Sequence, residues 1–327
     1  MGRHTARETR PRDATVSPAR LAWRSFLRNR TAVAGMLACA LFFVLALCGL
    51  VLTKGDHPIL DPRQVRLVDK FRPPLSLPTS RAVAPEVLPR LGIYPLGTDE
   101  LGRDVFARML EGAFVSLSVG FVAVGIAVII GIALGGIAGY YGRARLRFGT
   151  VRLMTVDTLI TGLIDVALSF PSFFLILTVV AILRPSIWNI MVVIGLTSWE
   201  GTARFVRAEI LALREQDFIQ AAHALGVPGP RVIVRHLIPN AVAPVLVSAT
   251  LGIAGAILTE SGLSFLGFGV PPPDATWGNI LSDGKNFLFD ASWLTIIPGT
   301  AILVVVLAFN LFGEGLREAF NPRLRQL

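Results

Sequence analysis

Six long blocks of apolar residues, separated by polar segments, dominate the pattern along the chain. They cover residues 32–52, 114–140, 153–183, 188–206, 241–265 and 293–312. A helix needs about 20 mostly apolar residues to cross a membrane, and each block is close to or above that length. Pro171 lies inside the third block, where it should kink the helix or break its hydrogen-bond ladder. The pattern predicts an all-α membrane protein with a bundle of six transmembrane helices.

The composition agrees with this prediction. Of 327 residues, 53% are apolar and only 16% are charged, whereas soluble domains have about 25% charged residues. The mean hydropathy is +0.63. These values argue strongly against a soluble enzyme.

The net charge of +9 could suggest a nucleic-acid partner. The arginines, however, lie between the apolar blocks rather than in one run, so we expect no nucleic-acid partner. We attribute the charge to the orientation of the helices in the membrane. With the N-terminus inside, 20 of the 31 basic residues fall in the inner segments. Because cytoplasmic loops retain Arg and Lys, both termini are predicted to be cytoplasmic. The four histidines form no ligand-spaced cluster, so no metal is expected on this chain.

The blocks divide the chain into five parts. Residues 1–30 form a basic cytoplasmic tail whose second half, 17–30, has the pattern of an amphipathic helix at the lipid interface. Residues 31–53 form the first transmembrane helix, too long for a typical signal peptide. The remaining parts are an extracytoplasmic loop (54–112), a transmembrane core (113–317) with a cytoplasmic loop at 214–240, and a cytoplasmic tail (318–327).

The cytoplasmic loop predicts a short helix over 218–225. Asp217 can accept from the first free backbone N–H groups and Gln220 can return a bond, which is the capping-box arrangement. Gly226 suits a left-handed C-terminal cap, and Pro228 prevents the helix from continuing. The result is a well-delimited helix exposed to the cytoplasm.

Small side chains leave part of this helix nearly bare. Ala221 and Ala222 would let another protein approach its backbone. A second helix is expected to begin after Pro230 and to end near Pro239. This loop therefore has the features of a protein-docking surface.

The same residues resemble the EAA loop in membrane subunits of ABC importers. The matching positions are Gln220-Ala221-Ala222, Gly226 and Pro239. Gln220 replaces the usual Glu, while His236 and Ile238 stand where the broad pattern has Ile and Leu. The departure at Gln220 removes any salt bridge that the Glu would make but keeps a side chain able to cap.

Four longer stretches narrow the resemblance to the C-type permease subunit of dipeptide and oligopeptide importers, in the family of binding-protein-dependent transport system inner membrane components. They read PLGTDELGRDVFARMLEGAFVSLSVG (95–120), LSFPSFFL (168–175), ESGLSFLGFGVPPPDATWGNIL (260–281) and LAFNLFGEGLREAFNPRLR (307–325). They cover most of the chain from residue 95 onward. Residues 1–16 and 54–91 carry no such resemblance.

The resemblance implies a type I importer permease bundle of six helices, in a bacterial inner membrane, with a cytoplasmic coupling helix. A second, B-type permease would complete the path, one or two cytoplasmic ATPase subunits would bind ATP and Mg, and an extracytoplasmic binding protein would deliver peptide. The ATPase-coupling residues would be Asp217, Gln220, Ala221, Ala222, Gly226 and Pro239. No catalytic residue and no cofactor is expected on this chain, since its one Gly-Lys pair, Gly284-Lys285, lacks the surroundings of a phosphate-binding loop.

Acidic residues inside apolar blocks are costly and point to protected surroundings. Glu200 could pair with Arg204 one helical turn on, and Asp157 lies near the inner boundary, within reach of water and Arg152. Asp165 and Glu260 have no partner nearby in the sequence. Both are predicted to lie beyond mid-membrane towards the outside, lining the path or stabilising the contact with the second permease.

Other functions remain open at this stage. Related systems import nickel, glutathione or another small solute with the same motifs. An ATP-independent secondary transporter or channel could also use six spans, although the capped segment from Gln220 to Gly226 would then have no evident purpose. An enzyme is disfavoured because no nucleophile, base and orienting group can be assembled. The turn-rich segments 95–103 and 270–279 either meet the binding protein or plug the outer end of the bundle.

Overall fold

The protein is a mainly helical bundle, as the apolar pattern predicts. The computed structural model describes residues 18–55, 58–79, 89–148 and 151–320, so the tail segments 1–17 and 321–327 lie outside the described residues. The helices are α1 (Pro18–Arg28), α2 (Arg30–Thr53), α3 (Val105–Tyr141), α4 (Val156–Ser169), α5 (Ser172–Ile182), α6 (Ile187–Leu196), α7 (Glu200–Arg214), α8 (Asp217–Ala224), α9 (Gly229–Val232), α10 (Ile238–Phe265), α11 (Trp277–Gly284) and α12 (Trp293–Phe320).

Short irregular elements complete the fold. Two antiparallel strands, β1 (Arg145–Phe148) and β2 (Val151–Thr155), form a hairpin between α3 and α4. A π-helical turn, Ile233–Leu237, joins α9 to α10, so the helix is continuous over Gly229–Phe265. The hairpin includes the first residues of the third predicted span, which therefore begins later than expected.

Four helical segments are each long and apolar enough to cross a membrane: Arg30–Thr53, Val105–Tyr141, Gly229–Phe265 and Trp293–Phe320. They correspond to the first, second, fifth and sixth apolar blocks. The second begins at Val105, inside the predicted outer loop. Asp104 caps it by accepting from the Phe106 N–H at 2.8 Å, a bond that satisfies one of the free donors at a helix start.

The third predicted span is broken as Pro171 suggested. α4 and α5 meet at an angle of 79° across this residue, which is the N-cap of α5. Proline has no N–H to continue the ladder and its ring clashes with the preceding turn. This break is confirmed, and the two halves count as one span only if the bent pair crosses as a unit.

The fourth predicted span is also interrupted, which the sequence reading missed. α6 ends at Leu196 and α7 begins at Glu200. Thr197 Oγ1 donates to the Val193 carbonyl at 2.7 Å, a local bond that competes with regular helix. Among the described residues there are thus four spanning helices, or up to five with the bent pair, so six continuous spans are not confirmed.

Glycines let α3 and α7 pack closely in the centre of the bundle. A Cβ at Gly131 would meet Thr202, one at Gly135 would meet the Ala203 carbonyl, and one at Gly139 would meet Ile210. The small-residue spacing on the second apolar block therefore marks a helix contact, as predicted.

The bundle has two different ends. At the "loop end" lie α8 and the start of α10. The "cap end" is formed by residues 58–79, 89–104 and α11. Asn29 donates to Glu318 at 2.6 Å, and Phe26 packs edge-on against Phe312 at 5.7 Å between ring centroids. These contacts hold α1 against the last turns of α12, so both ends of the described chain lie at the loop end.

Candidate functional site

The helix α8 is held against the bundle by its inward side. Ile219 and Ala222 are buried and pack in one cluster with Val206, Ile210 and Val232. The His223 ring also stacks on Tyr140, with 5.8 Å between centroids. These contacts tie α8 to α3, α7 and α9.

The start of α8 differs from the predicted capping box. Gln216 is the N-cap and makes no side-chain capping bond, and Asp217 is the first helical residue. Gln220 Nε2 donates to the Arg214 carbonyl at 3.1 Å, which satisfies a free acceptor at the end of α7. The capping-box prediction is wrong because the helix starts one residue earlier, and Gln220 joins α8 to α7 instead.

The end of α8 has the predicted left-handed glycine. Gly226 has a φ of +73° and donates to the His223 carbonyl at 2.9 Å, while Val227 donates to the Ala222 carbonyl at 3.1 Å. This pair of bonds is the Schellman motif, for which glycine is the usual residue. The C-terminal cap is confirmed.

The outward side of α8 carries an exposed stripe. Phe218 is 42% exposed and Leu225 is 83% exposed, and both Gln220 and Ala221 between them are exposed. We call Phe218, Ala221 and Leu225, which share one side of the helix, the α8 face. Ala222 does not belong to it, contrary to the prediction that both alanines lie bare, because the helix turns that residue into the core.

The predicted helix end at Pro239 is wrong. Pro239 is the second residue of α10, which continues to Phe265. A π-helical turn precedes Pro239 and allows the helix to continue through it. In this turn the Ile238 N–H donates to the Ile233 carbonyl, five residues back. The coupling loop therefore feeds directly into a spanning helix.

Two acid–base pairs join α4 to α7. Arg207 Nη2 lies 2.7 Å from Asp157 Oδ2, and Arg204 Nη2 lies 2.9 Å from Asp165 Oδ1. The expected Glu200–Arg204 pair is not formed in this structure. Asp165 is not the lone acid that the sequence suggested, because its partner comes from another helix.

This pairing also corrects a prediction of depth. Arg204 is one of the 20 basic residues that the sequence places in the inner segments, whereas Asp165 is predicted to lie in the outer half of the membrane. Their charged groups are 2.9 Å apart and therefore lie at the same depth in the membrane. At least one of the two predictions is wrong. The error follows from treating 153–183 as one straight span.

Glu260 lies fully buried in α10. Its Oε1 accepts from Ser264 at 2.7 Å, and Oε2 has no hydrogen-bond partner among the described residues. No basic side chain of the described ranges forms a salt bridge with it. Its role in the path stays a prediction.

The cap end is crossed by buried ion pairs. Arg108 contacts Asp99 at 2.6 Å and Asp283 at 2.9 Å, which links the cap, α3 and α11. Glu111 pairs with Lys54 at 3.1 Å, joining α3 to the end of α2. The sequence reading missed this network. The near-balance of acids and bases between residues 54 and 112 was the available signal.

Hydrogen bonds and burial shift two cap carboxyls in opposite directions. Burial tends to raise the pKa of Asp69, but bonds from Thr79 and Tyr94 together with the Arg66 charge lower it overall. Burial raises the pKa of Asp104 to about 6, against the lowering effect of backbone bonds at the start of α3. Elsewhere, the described part of the chain has no group of three or more His, Cys, Asp or Glu that could hold a metal ion.

Two family profiles match the chain. The profile of the binding-protein-dependent transport system inner membrane component matches residues 131–326. The profile of the N-terminal transmembrane domain of oligopeptide transport permease C matches residues 17–74. The first includes the whole coupling loop and the second includes α1 and α2.

Curated relatives align over nearly the full length. A dipeptide transport system permease protein of Alkalihalophilus pseudofirmus is 37% identical over 310 residues, covering 95% of this chain and 91% of the relative. A protein of the same description from Haemophilus influenzae is 33% identical, covering 96% and 97%. A putative peptide transport system permease protein of Brucella abortus is 34% identical, covering 96% and 95%.

Among solved structures, a chain of the MetNI methionine ABC transporter in an inward-facing conformation aligns with a TM-score of 0.49 and 16% identity. The alignment covers 65% of this chain and 95% of that chain. The family assignment rests on the profile over 131–326 and on the full-length relatives. This chain belongs to the family of binding-protein-dependent transport system inner membrane components.

Proposed function

We propose that this chain is the permease subunit of an ATP-driven importer of dipeptides or oligopeptides. It pairs with a second, B-type permease to form the path, and it carries no catalytic site of its own. The observation that carries the proposal is the α8 face, an exposed stripe on a helix whose other side is anchored in the bundle. The names of the full-length relatives supply the substrate class.

The α8 face is suited to docking on a cytoplasmic ATPase. Phe218 and Leu225 stand seven residues apart, two turns along one side of the helix, and expose apolar surface that a partner can bury. One or two ATPase chains would bind ATP and Mg and press on this surface. The loop end is then cytoplasmic, together with both chain termini.

Movement of α8 has two routes into the membrane. Gln220 ties it to the last carbonyl of α7, and Ile219 packs against residues of α7 and of the segment leading into α10. Since packed helices shift as units rather than deform, closure of the ATPases would reorient α7 and α10 together. The bundle would thus alternate between openings on its two sides.

The cap end is the proposed contact for the extracytoplasmic binding protein. Leu75 and Leu77 are 74% and 70% exposed there, and Phe289 beside α11 is 99% exposed. A docked protein would bury these apolar side chains. The buried ion pairs of the cap end would keep this end of the bundle in one shape.

The test is uptake by the complete transporter in sealed vesicles. We expect labelled dipeptide to accumulate with ATP and loaded binding protein, and not with a proton gradient alone. Accumulation driven by the gradient without nucleotide would instead indicate a secondary transporter. Competition by excess nickel or glutathione, with no competition by dipeptides, would assign the substrate to those related systems.

A further inference from the structure

The pair formed by Asp165 and Arg204 is unusually open for charges carried on helices of a membrane bundle. The two side chains are 60% and 57% exposed. The neighbouring pair of Asp157 and Arg207 is 31% and 26% exposed. The chain thus holds two similar pairs on the same helices, one half-covered and one open.

The open pair lies deeper in the bundle than the covered one. Asp165 is eight residues along α4 from Asp157, which at the usual rise per residue is about 12 Å. Asp157 sits at the loop end, where its N–H bonds to the Gly142 carbonyl at the end of α3. Exposed charges at that depth are costly against lipid tails, and in membrane proteins such groups face water or protein.

Free space lies beside both members of the pair. Gly162 precedes Asp165 by three residues on α4, and Gly201 precedes Arg204 by three on α7, so each glycine shares a face with its charged neighbour. No described atom outside the local helix lies within 4 Å of a Cβ built at either glycine. Glycine at such a position permits close approach by the backbone of a ligand.

The open surface continues around α7. Phe205, next to Arg204 in the sequence, and Glu209 line a cavity of about 600 Å³, together with Pro244 and Arg317. The exposed side of α7 therefore borders open volume over two turns. This continuity favours a passage along α7 over an isolated surface charge.

We propose that Asp165 and Arg204 bind the charged termini of a short zwitterionic peptide during its passage. The Arg204 guanidinium takes the carboxylate, for which its planar donors are suited, and Asp165 accepts from the terminal ammonium. An exposed pair is weak, so a peptide that offers one ammonium and one carboxylate exchanges these contacts at little cost. This inference rests on the proposed function, because it names the peptide contact within that path.

The experiment measures ATP-driven uptake of labelled dialanine by the complete transporter with its binding protein. Arg204→Gln should lower the uptake rate about tenfold, the scale of one lost charged hydrogen bond, while ATP hydrolysis stays within about twofold of wild type. Arg204→Lys should keep at least about half of the uptake, because it retains the charge. Arg207→Gln is the matched control at the covered pair and should show no such split between uptake and ATP hydrolysis.

Two further variants separate a peptide contact from a structural link between α4 and α7. The charge swap of Asp165→Arg with Arg204→Asp should not restore uptake, whereas restoration would show that the pair only joins the helices. Gly201→Leu fills the free space with a better helix former, so the complex should assemble and transport poorly. Normal uptake in Arg204→Gln or in Gly201→Leu would overturn the inference. Absence of ATP-driven uptake in the wild type would instead overturn the proposed function.

Discussion

The two ends of the bundle differ in how far their charged side chains are buried and paired. At the cap end, Asp69, Asp99 and Glu111 are fully buried, and each is paired with Arg or Lys of this chain. At the loop end, Arg143 and Glu215 are 85% and 61% exposed and stand 3.9 Å apart. The cap end thus pairs these buried acids within the chain, while the loop end leaves this charged pair exposed.

This difference indicates where stability resides. Buried charges without a partner are strongly unfavourable, so the cap network holds only as a complete set. Exposed pairs such as Arg143 and Glu215 contribute little to stability. The buried pairs of the cap end therefore fix its shape, whereas the exposed pairs of the loop end add little stability.

The largest predicted effect breaks the cap network. Arg108→Met removes the side chain that joins the buried Asp99 to Asp283 and leaves Arg103 as the basic partner of both acids. The loss should be about 1.5–3 kcal/mol, the scale of a hydrogen bond to a charged group. Thermal unfolding of the purified complex should show a clearly lower midpoint.

The matched control is Arg143→Met at the loop end. Its pair with Glu215 is exposed, so the change should be about 0–1 kcal/mol. An equal loss of stability at the two sites would contradict the contrast between the ends.

A smaller effect on the fold but a large one on function is expected at Gly226. Gly226→Val puts a β-branched residue at a φ of +73°, which costs about 1–2 kcal/mol and should unwind the end of α8. The strain lies in the backbone, because no described atom outside the neighbouring residues lies within 4 Å of the added Cβ. ATP hydrolysis should then continue without uptake in reconstituted vesicles.

Gly226→Asn is the control, since asparagine visits the left-handed region readily. It should keep most of the coupling between ATP hydrolysis and uptake. Full coupling in Gly226→Val would show that the end of α8 does not transmit the ATPase motion.

The smallest predicted effect concerns pH at the cap end. Burial raises the pKa of Asp104 to about 6, above its ordinary value near 3.8. Its charged form therefore destabilises the fold above pH 6, and this cost is removed as the pH falls towards 4. Asp104→Asn keeps an equivalent N-cap and should melt slightly above wild type at pH 7. The gap should close by about pH 4, and a gap independent of pH would contradict the assignment.

Local signals in the sequence predicted local structure well. Pro171 marked a true break, and Gly226 marked a true left-handed cap, because both residues act through their own backbone. Four apolar blocks correspond to helices long enough to span a membrane, because length and apolar composition are also local properties of the chain. The resemblance of the loop from Gln220 to Pro239 led to the family.

Contacts between distant segments could not be read in this way. The sequence gives Asp165 no neighbouring partner because Arg204 lies on another helix. Treating residues 153–183 as one straight span also gives the wrong depth for Asp165, because α4 and α5 are bent by 79°. Ala222 is predicted to lie bare because its small side chain does not show that α7 and α9 pack over it. The cap network joins residues as far apart as Arg108 and Asp283, which no spacing rule connects.

The central claim is that the α8 face docks on an ATP-hydrolysing subunit. A photo-reactive amino acid at Leu225, in the complete transporter, tests it directly, with the same group at the exposed Leu67 of the cap end as control. The account predicts that position 225 cross-links to a chain carrying a phosphate-binding loop and that position 67 does not. Cross-linking of position 225 to lipid alone, or of position 67 to the ATPase, would contradict it.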